Sequence, residues 1–343
     1  MENTGNDAAV KAVAVIILNW NGRELLRRFL PSVVENTDAR ISRVIVADNG
    51  STDDSLAVLE KEFPSVEVLR LDRNYGFAEG YNRAVEAIDC RYAVLLNSDA
   101  AVSPGWDTEL FNYMETHADV GACQPKLMSY NDPTSFEYAG AAGGYLDKNG
   151  YPYCRGRIFS VCEKDEGQYD NVVDIHWASG AALMVRREVY LSCGGLDPKF
   201  FAHMEEIDLC WRIRLAGWRI VAVPTSTVYH LGGGSLPAEN PKKTYLNFRN
   251  NLLMLHKNLP DSIRGGFLFR RRLLDTLAWV KYVLTLDFAN AAAIVSAHRD
   301  FARMRSDYTS HPSVNLLRKD RDSRRNILVD FYLRRCHKYS QLR

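Results

Sequence analysis

The ordered pattern of the chain opens on a continuous apolar run, Val13-Ala14-Val15-Ile16-Ile17-Leu18, as a parallel strand covered on both faces requires. Behind it Leu25, Leu26, Phe29, Leu30, Val33 and Val34 recur at helical spacing, and Asn21 with Glu24 has the spacing of a capping box. The alternation then repeats: Val44 to Ala47 reads as a strand, Asp53 to Phe63 as a helix, Val66 to Leu71 as a strand, Gly80 to Ile88 as a helix and Tyr92 to Leu96 as a strand. Strand and helix in turn predict an α/β fold with a mostly parallel, Rossmann-like sheet whose ligands sit beyond the carboxyl ends of the strands. Polar motifs fall at those ends: Asn19-Trp20-Asn21-Gly22, Asp48-Asn49-Gly50, Asn74-Tyr75-Gly76 and Asn97-Ser98-Asp99. Singly, Asp-Asn-Gly is an ordinary tight turn; four polar motifs on one rim describe a nucleotide crevice.

Neither a Gly-x-Gly-x-x-Gly fingerprint nor a Gly-x-x-x-x-Gly-Lys-Ser/Thr loop follows the first strand. A diphosphate bound here therefore needs other neutralisation, and Asp99 offers the hard oxygen that Mg²⁺ or Mn²⁺ prefers. Further on, Ala181 to Val185 and Trp218 to Val223 read as strands, Tyr245 to His256 as a helix, and Leu231-Gly232-Gly233-Gly234-Ser235 as a mobile segment able to close over a ligand. A helix beginning near Glu205 places Ile207, Cys210, Trp211 and Leu215 on a buried stripe and pairs Asp208 with Arg212. Its N-terminus holds Glu205 and Glu206, where the helix dipole favours ionised carboxylates.

Composition narrows the partners. The 343 residues are 46% hydrophobic and 25% charged, an ordinary globular profile. Lys and Arg number 43 against 42 Asp and Glu, which gives no electrostatic case for nucleic acid. Basic residues gather late, in Arg270-Arg271-Arg272, Arg318-Lys319, Arg324-Arg325 and Arg334-Arg335, as an anionic surface or simply solvated helix faces would have them. Seven scattered cysteines without a Cys-x-x-Cys pair support neither a disulfide framework nor a zinc site, and point to a reducing compartment. Met1 to Val10 is polar without a basic region, so a cytoplasmic protein is expected. Leu273 to Ala297 is interrupted by Lys281 and Asp287, short of the roughly 18–20 unbroken apolar residues of a membrane span. Leu268, Leu273, Leu274, Leu277, Trp279, Val280, Val283 and Leu284 instead suggest an amphipathic helix docking on the inner face of a membrane or on a second copy of the chain.

The ordered blocks Ile17 to Gly22, Val46 to Asp53, Asn74 to Asn82, Leu96 to Asp99, Ser179 to Ala182, Gly195 to Phe201 and Glu205 to Arg212 resemble glycosyltransferase family 2, particularly its bacterial rhamnosyltransferase-like members, over residues 12–258. That resemblance implies a GT-A fold at 12–258, after a flexible 1–11 and before a helical extension at 259–343. It also implies inverting transfer of a sugar from a nucleotide-diphosphate donor of UDP or dTDP type to a saccharide or lipid-linked acceptor. By it Asp48 reads the base, Asn74 lines the nucleotide with Asn19, and Asn97-Ser98-Asp99 stands where the family has Asp-x-Asp. Asn97 then bonds ribose, Asp99 holds Mg²⁺ or Mn²⁺, and His230 falls where related enzymes place a second metal ligand. Glu205-Glu206-Ile207-Asp208 replaces Glu-Asp-x-Asp and makes Glu206, or else Glu205, the base that takes the acceptor's proton. Trp177, Gly180 and Asp208 are carried toward the sugars and Arg249 toward the diphosphate; packing is the other role open to Trp177 and Arg249. Two rivals stand beside this reading: a sugar-phosphate nucleotidyltransferase, which needs a basic glycine-rich loop near the first strand, and a non-catalytic sugar-binding protein on the same fold.

Overall fold

The computed structural model describes residues 11–232 and 240–342; Gly233 to Ser235 of the expected mobile segment, and all but Lys11 of the expected flexible N-terminus, lie outside them. The first half is β1 (Val13–Asn19), α1 (Arg23–Asn36), β2 (Ser42–Asp48), α2 (Ser55–Glu62), β3 (Glu67–Arg70), α3 (Phe77–Ala87) and β4 (Tyr92–Leu96). These strands run parallel in the order β3-β2-β1-β4, with Asn19 level with Asp48. Alternate residues of β1 feed two cores. Val13, Val15 and Ile17 pack with Leu26 and Leu30 of α1, whereas Ala14 and Ile16 pack with Ala78 and Tyr81 of α3, which is why the run has no polar alternation. The expected capping box is absent: Gly22 is the N-cap of α1, and Asn21 turns away with φ 51°.

The second half adds β5 (Ala100–Val102), α4 (Trp106–Thr116), β6 (Val120–Ser129), β7 (Gly144–Leu146), β8 (Pro152–Cys154), β9 (Arg157–Ile158), β10 (Val161–Cys162), β11 (Val173–Asp174), β12 (Ala182–Arg186), α5 (Arg187–Ser192), α6 (Glu205–Leu215) and β13 (Arg219–His230). β12 pairs antiparallel with β4 and β6, so the main sheet is mixed beyond its parallel first half. β13 lies parallel to β6, breaks register between Val223 and Thr227, then runs on against β5. The break coincides with Pro224, which cannot donate to a ladder. The strand is therefore longer than the apolar run Trp218 to Val223 suggests, and His230 is its last residue. β7 to β10 form a separate small sheet.

Three helices follow, α7 (Pro241–Asn258), α8 (Asp261–Leu284) and α9 (Phe288–Met304). Beyond Met304 the described chain makes 3₁₀ turns and one five-residue π-helix, Val329–Leu333, and folds back on the small sheet. There His176 Nε2 meets Asp320 at 2.9 Å, Tyr153 donates to Asp322 O at 3.0 Å, and the Tyr339 ring stacks on Tyr145. Leu259, Phe301, Leu316 and Ile327 join the same hydrophobic cluster as α3 and α6.

Candidate active site

The carboxyl ends of β1, β2 and the turn after β3 are knit by side-chain amides. Asn19 Nδ2 donates to Asp48 Oδ1 at 3.1 Å and to Ser51 Oγ at 3.2 Å, while Asp48 Oδ2 accepts Ser51 N–H at 3.0 Å. Asn49, which the sequence did not single out as a ligand, donates to Asn74 Oδ1 at 3.1 Å and accepts Tyr75 N–H at 2.9 Å. A Cβ on Gly50 would stand 2.5 Å from Arg73 Cα, and its φ is +70°, so only glycine lets these two turns touch. Asn19, Asp48 and Asn74 are thus brought to one edge, and Trp20 projects beside them, 55% exposed.

Asn97 joins a second corner. Its Nδ2 is 3.2 Å from His230 Nε2, which is 3.0 Å from Asp99 Oδ1. Backbone fixes the pair: His230 is level with Ala100, and Leu231 N–H donates to Asp99 O at 3.0 Å. Behind the ring, His230 Nδ1 lies 3.3 Å from Glu137 Oε1, close enough to feel its charge but out of line for a hydrogen bond. Burial opposes a charged imidazole, yet the Asp99 hydrogen bond and the two carboxylates together push the His230 pKa up to about 10. Sequence reasoning missed Glu137. It stands in a stretch, Tyr130 to Gly144, with no periodic pattern to tie it to a strand end.

The donor set suits a hard divalent cation. Adjacent ligands about 2.1 Å from an octahedral centre stand about 3 Å apart, the separation of Asp99 Oδ1 and His230 Nε2. Among the described residues no cluster of three or more His, Cys, Asp or Glu is arranged to hold a metal. A cation here would take its other ligands from phosphate and water, as Mg²⁺ habitually does.

The third corner is the start of α6. Phe201, His203 and Met204 have φ of 67°, 68° and 73°, a left-handed run that non-glycine residues adopt only under constraint. α7 supplies it. Asn250 Nδ2 donates to Phe200 O, Ala202 O and His203 O at 2.9, 2.8 and 2.7 Å, and Arg249 Nη2 to Lys199 O and Phe200 O at 3.1 and 3.0 Å. The turn leaves Glu205 buried and Glu206 half-buried. Among the described residues His203 Nε2, Glu205 Oε2 and Glu206 Oε2 are buried without a hydrogen-bond partner. Native interiors rarely leave such atoms unpaired. The expectation that the helix dipole keeps both carboxylates ionised is corrected: burial outweighs it. Desolvation, then the neighbouring Glu206, lifts Glu205 well above the carboxylate range, and desolvation lifts Glu206 to about 7. Gly180 borders the second of them, since a Cβ there would stand 3.7 Å from Glu206 Cβ.

Three positions carried toward ligands are occupied within the protein. Asp208 is fully buried, bound to Arg212, Lys257 and Asn258 at 2.8, 2.9 and 2.7 Å, so it locks α6 to α7 and keeps no free oxygen for a sugar. Arg249 is consumed by the turn it clamps. Trp177 is buried, donates to Tyr145 O at 3.0 Å, and packs in the core.

A sheet that switches from parallel to antiparallel, with a rim of amides, a carboxylate-imidazole pair and an acidic helix start at its edge, has the architecture of a GT-A fold. Residues 14–191, more than half the chain, match the description "Glycosyl transferase family 2", and the chain belongs to that family. It is 27% identical over 234 residues to an N-acetylglucosaminyl-diphospho-decaprenol L-rhamnosyltransferase of Mycobacterium tuberculosis (strain CDC 1551 / Oshkosh), covering 63% of this chain and 75% of the relative. It is 24% identical over 229 residues to the rhamnosyltransferase WbbL of Escherichia coli K12, covering 64% and 83%. The fold is similar to that of GalNAc-T7 with UDP, GalNAc and Mn²⁺, at TM-score 0.58 and 16% identity over 88% of this chain and 59% of that one. It is also similar to the mannosyltransferase PcManGT of Pyrobaculum calidifontis with GDP-Man and Mn²⁺, at TM-score 0.51 and 14% identity over 88% and 77%.

Proposed function

We propose that the chain is a metal-dependent, inverting glycosyltransferase that moves a sugar from a nucleotide-diphosphate donor of UDP or dTDP type to a hydroxyl of a saccharide or lipid-linked saccharide, in cell-surface polysaccharide assembly. Asp48, with Asn19 and Asn74, holds the base and ribose edge, and Asn97 reaches the ribose from the neighbouring corner. Asp99 and His230 hold Mg²⁺ or Mn²⁺, which when bound supplies positive charge to the departing diphosphate. Glu206 takes the proton of the acceptor hydroxyl as that oxygen attacks the anomeric carbon from the face opposite the diphosphate. Glu205, buried deeper and held protonated, leaves that role to Glu206. Gly180 leaves room for the sugars beside it. The names of the relatives make a rhamnosyl donor the first to test, and the free state of the seven cysteines fits a reducing cytoplasmic setting.

The observation that carries this reading is the unpaired, buried Glu206 carboxylate oxygen in a fold whose other corner offers a cation pair. A thermal-shift screen of nucleotides and nucleotide sugars, with and without Mn²⁺, tests donor and metal together, because a ligand that binds the native state raises its apparent stability. The expected result is a shift by one nucleotide-diphosphate sugar that needs Mn²⁺. Stabilisation that ignores the diphosphate and the cation overturns the donor assignment.

A further inference from the structure

Helix α8 is amphipathic the wrong way round. Its buried residues are Phe267, Arg271 and Asp275, the latter two a buried ion pair at 3.2 Å. Arg271 also donates to Asn149 O and Asn251 Oδ1, at 3.0 and 2.6 Å, so beyond the apolar Ile263, Phe267 and Leu268 the inward face is charged. The opposite face carries Phe269, Leu273, Leu277, Val280 and Leu284, exposed by 65, 56, 66, 39 and 77%. Spacings of four and three residues put these five on one stripe, and Leu286 and Phe288 continue it across the turn into α9, where Val295 is also exposed. Isolated exposed leucines are ordinary; a contiguous apolar stripe marks a surface that meets something apolar.

The flanks say what. Arg272 lies on one side of the stripe and Lys281 on the other, both exposed. Arg272 and Arg299 share with Thr276, Trp279 and Val295 the groove between α8 and α9. The nearby carboxylates are engaged: Asp275 by Arg271 and His298, Asp261 by Arg264, Asp300 by Tyr245 and Arg299, and Asp287 as the N-cap of α9, so Arg272 and Lys281 are the cations that flank the stripe. A second copy docked through this face about a two-fold axis would set cation against cation. A bilayer with anionic headgroups answers both features, taking the leucines at its acyl boundary and the cations at its phosphates. No described helix is long and apolar enough to cross a membrane, so the contact lies in the plane of the interface. We infer that the outward face of the α8-α9 hairpin is a docking surface for anionic lipid.

The test is sedimentation of the full chain with vesicles of phosphatidylcholine alone or mixed with phosphatidylglycerol, at low and high salt. Binding should require the anionic lipid and weaken with salt. Leu277→Glu and Leu284→Glu should each lower vesicle binding at least about tenfold, and Arg272→Glu with Lys281→Glu should remove the anionic preference. All four side chains are exposed, so circular dichroism and the thermal midpoint should stay unchanged. Absence of vesicle binding, binding indifferent to lipid charge, or a dimer in sedimentation velocity that Leu277→Glu dissolves would each overturn the proposal. Neither donor nor acceptor enters the experiment, so its failure would leave the reading as a glycosyltransferase standing.

Discussion

Two corners of the same rim raise the pKa of a titratable group for opposite reasons. At Asp99, His230 and Glu137 the charges have each other, and the imidazole is held protonated by its partners. At Glu205 and Glu206 the charges lack partners, and the carboxyls hold protons because burial leaves them no better choice. Under the proposed function, a cation entering the first corner would exchange with a proton that the corner already binds well. On the same reading, an acceptor hydroxyl entering the second would meet a carboxylate poised near neutrality, where a general base works best. One corner pairs its charges and the other leaves carboxyl oxygens without partners among the described residues; under the proposed function the first would serve the cation and the second the proton.

Substitutions can break the contrast. The largest effect is expected from Glu206→Gln, which removes the proton acceptor while leaving donor binding near wild type, for a loss of about 10²–10⁴-fold in transfer; isothermal titration with donor and Mn²⁺ separates the two, and unchanged transfer would sink the base assignment. In the native enzyme, activity should fall as pH drops through about 7, since protonation disables the base. Asp99→Asn should cost about 10²–10³-fold in transfer, with weaker Mn²⁺ binding rather than weaker nucleoside binding. Glu137→Gln removes the negative charge 3.3 Å behind the imidazole and should weaken Mn²⁺ binding by no more than about tenfold; a Mn²⁺ titration followed by thermal shift reads it without any turnover. The smallest effect is on stability. Glu205 has a folded pKa above its ordinary 4.5, so the native state loses stability as pH rises from there toward the folded value. Glu205→Gln should therefore raise the thermal midpoint by about 2 °C at pH 8 and hardly at all below pH 4.5. An equal gain at both would show that the carboxyl is not a titrating burden.

Much of the nucleotide half was legible because its signals are local. A strand covered on both faces must be apolar throughout, so Val13 to Leu18 and Tyr92 to Leu96 announce themselves, and a parallel sheet brings their polar ends to one edge. Asp99 was legible as a candidate because its motif follows a strand, and His230 through the family resemblance, since the apolar run Trp218 to Val223 stops short of it. Glu137 was not, because nothing periodic connects it to His230, 93 positions away. The small sheet escaped because strands of two or three residues cannot show alternation. Asp208 and Arg249 were misdirected by their charge: sequence shows that a charged residue stands near a motif, but only packing shows that Lys257 and Asn258 claim the first and the Phe200 turn claims the second. The apolar stripe of α8 was visible as a periodicity and was expected to dock outward, on a membrane or a second copy; what periodicity does not show is that the opposite side holds the buried Arg271-Asp275 pair.

That pair has a bearing on how small the enzyme can be made. Arg271 reaches from α8 to satisfy Asn149 O and Asn251 Oδ1, and Asp275 meets the Tyr151 hydroxyl at 3.3 Å. A chain cut after Asn258 would keep every residue assigned here to the donor, the cation and the proton, yet would strand those polar groups at a face no longer covered. Shortening this transferase therefore calls for new partners at Asn149, Tyr151 and Asn251 before any change at the rim.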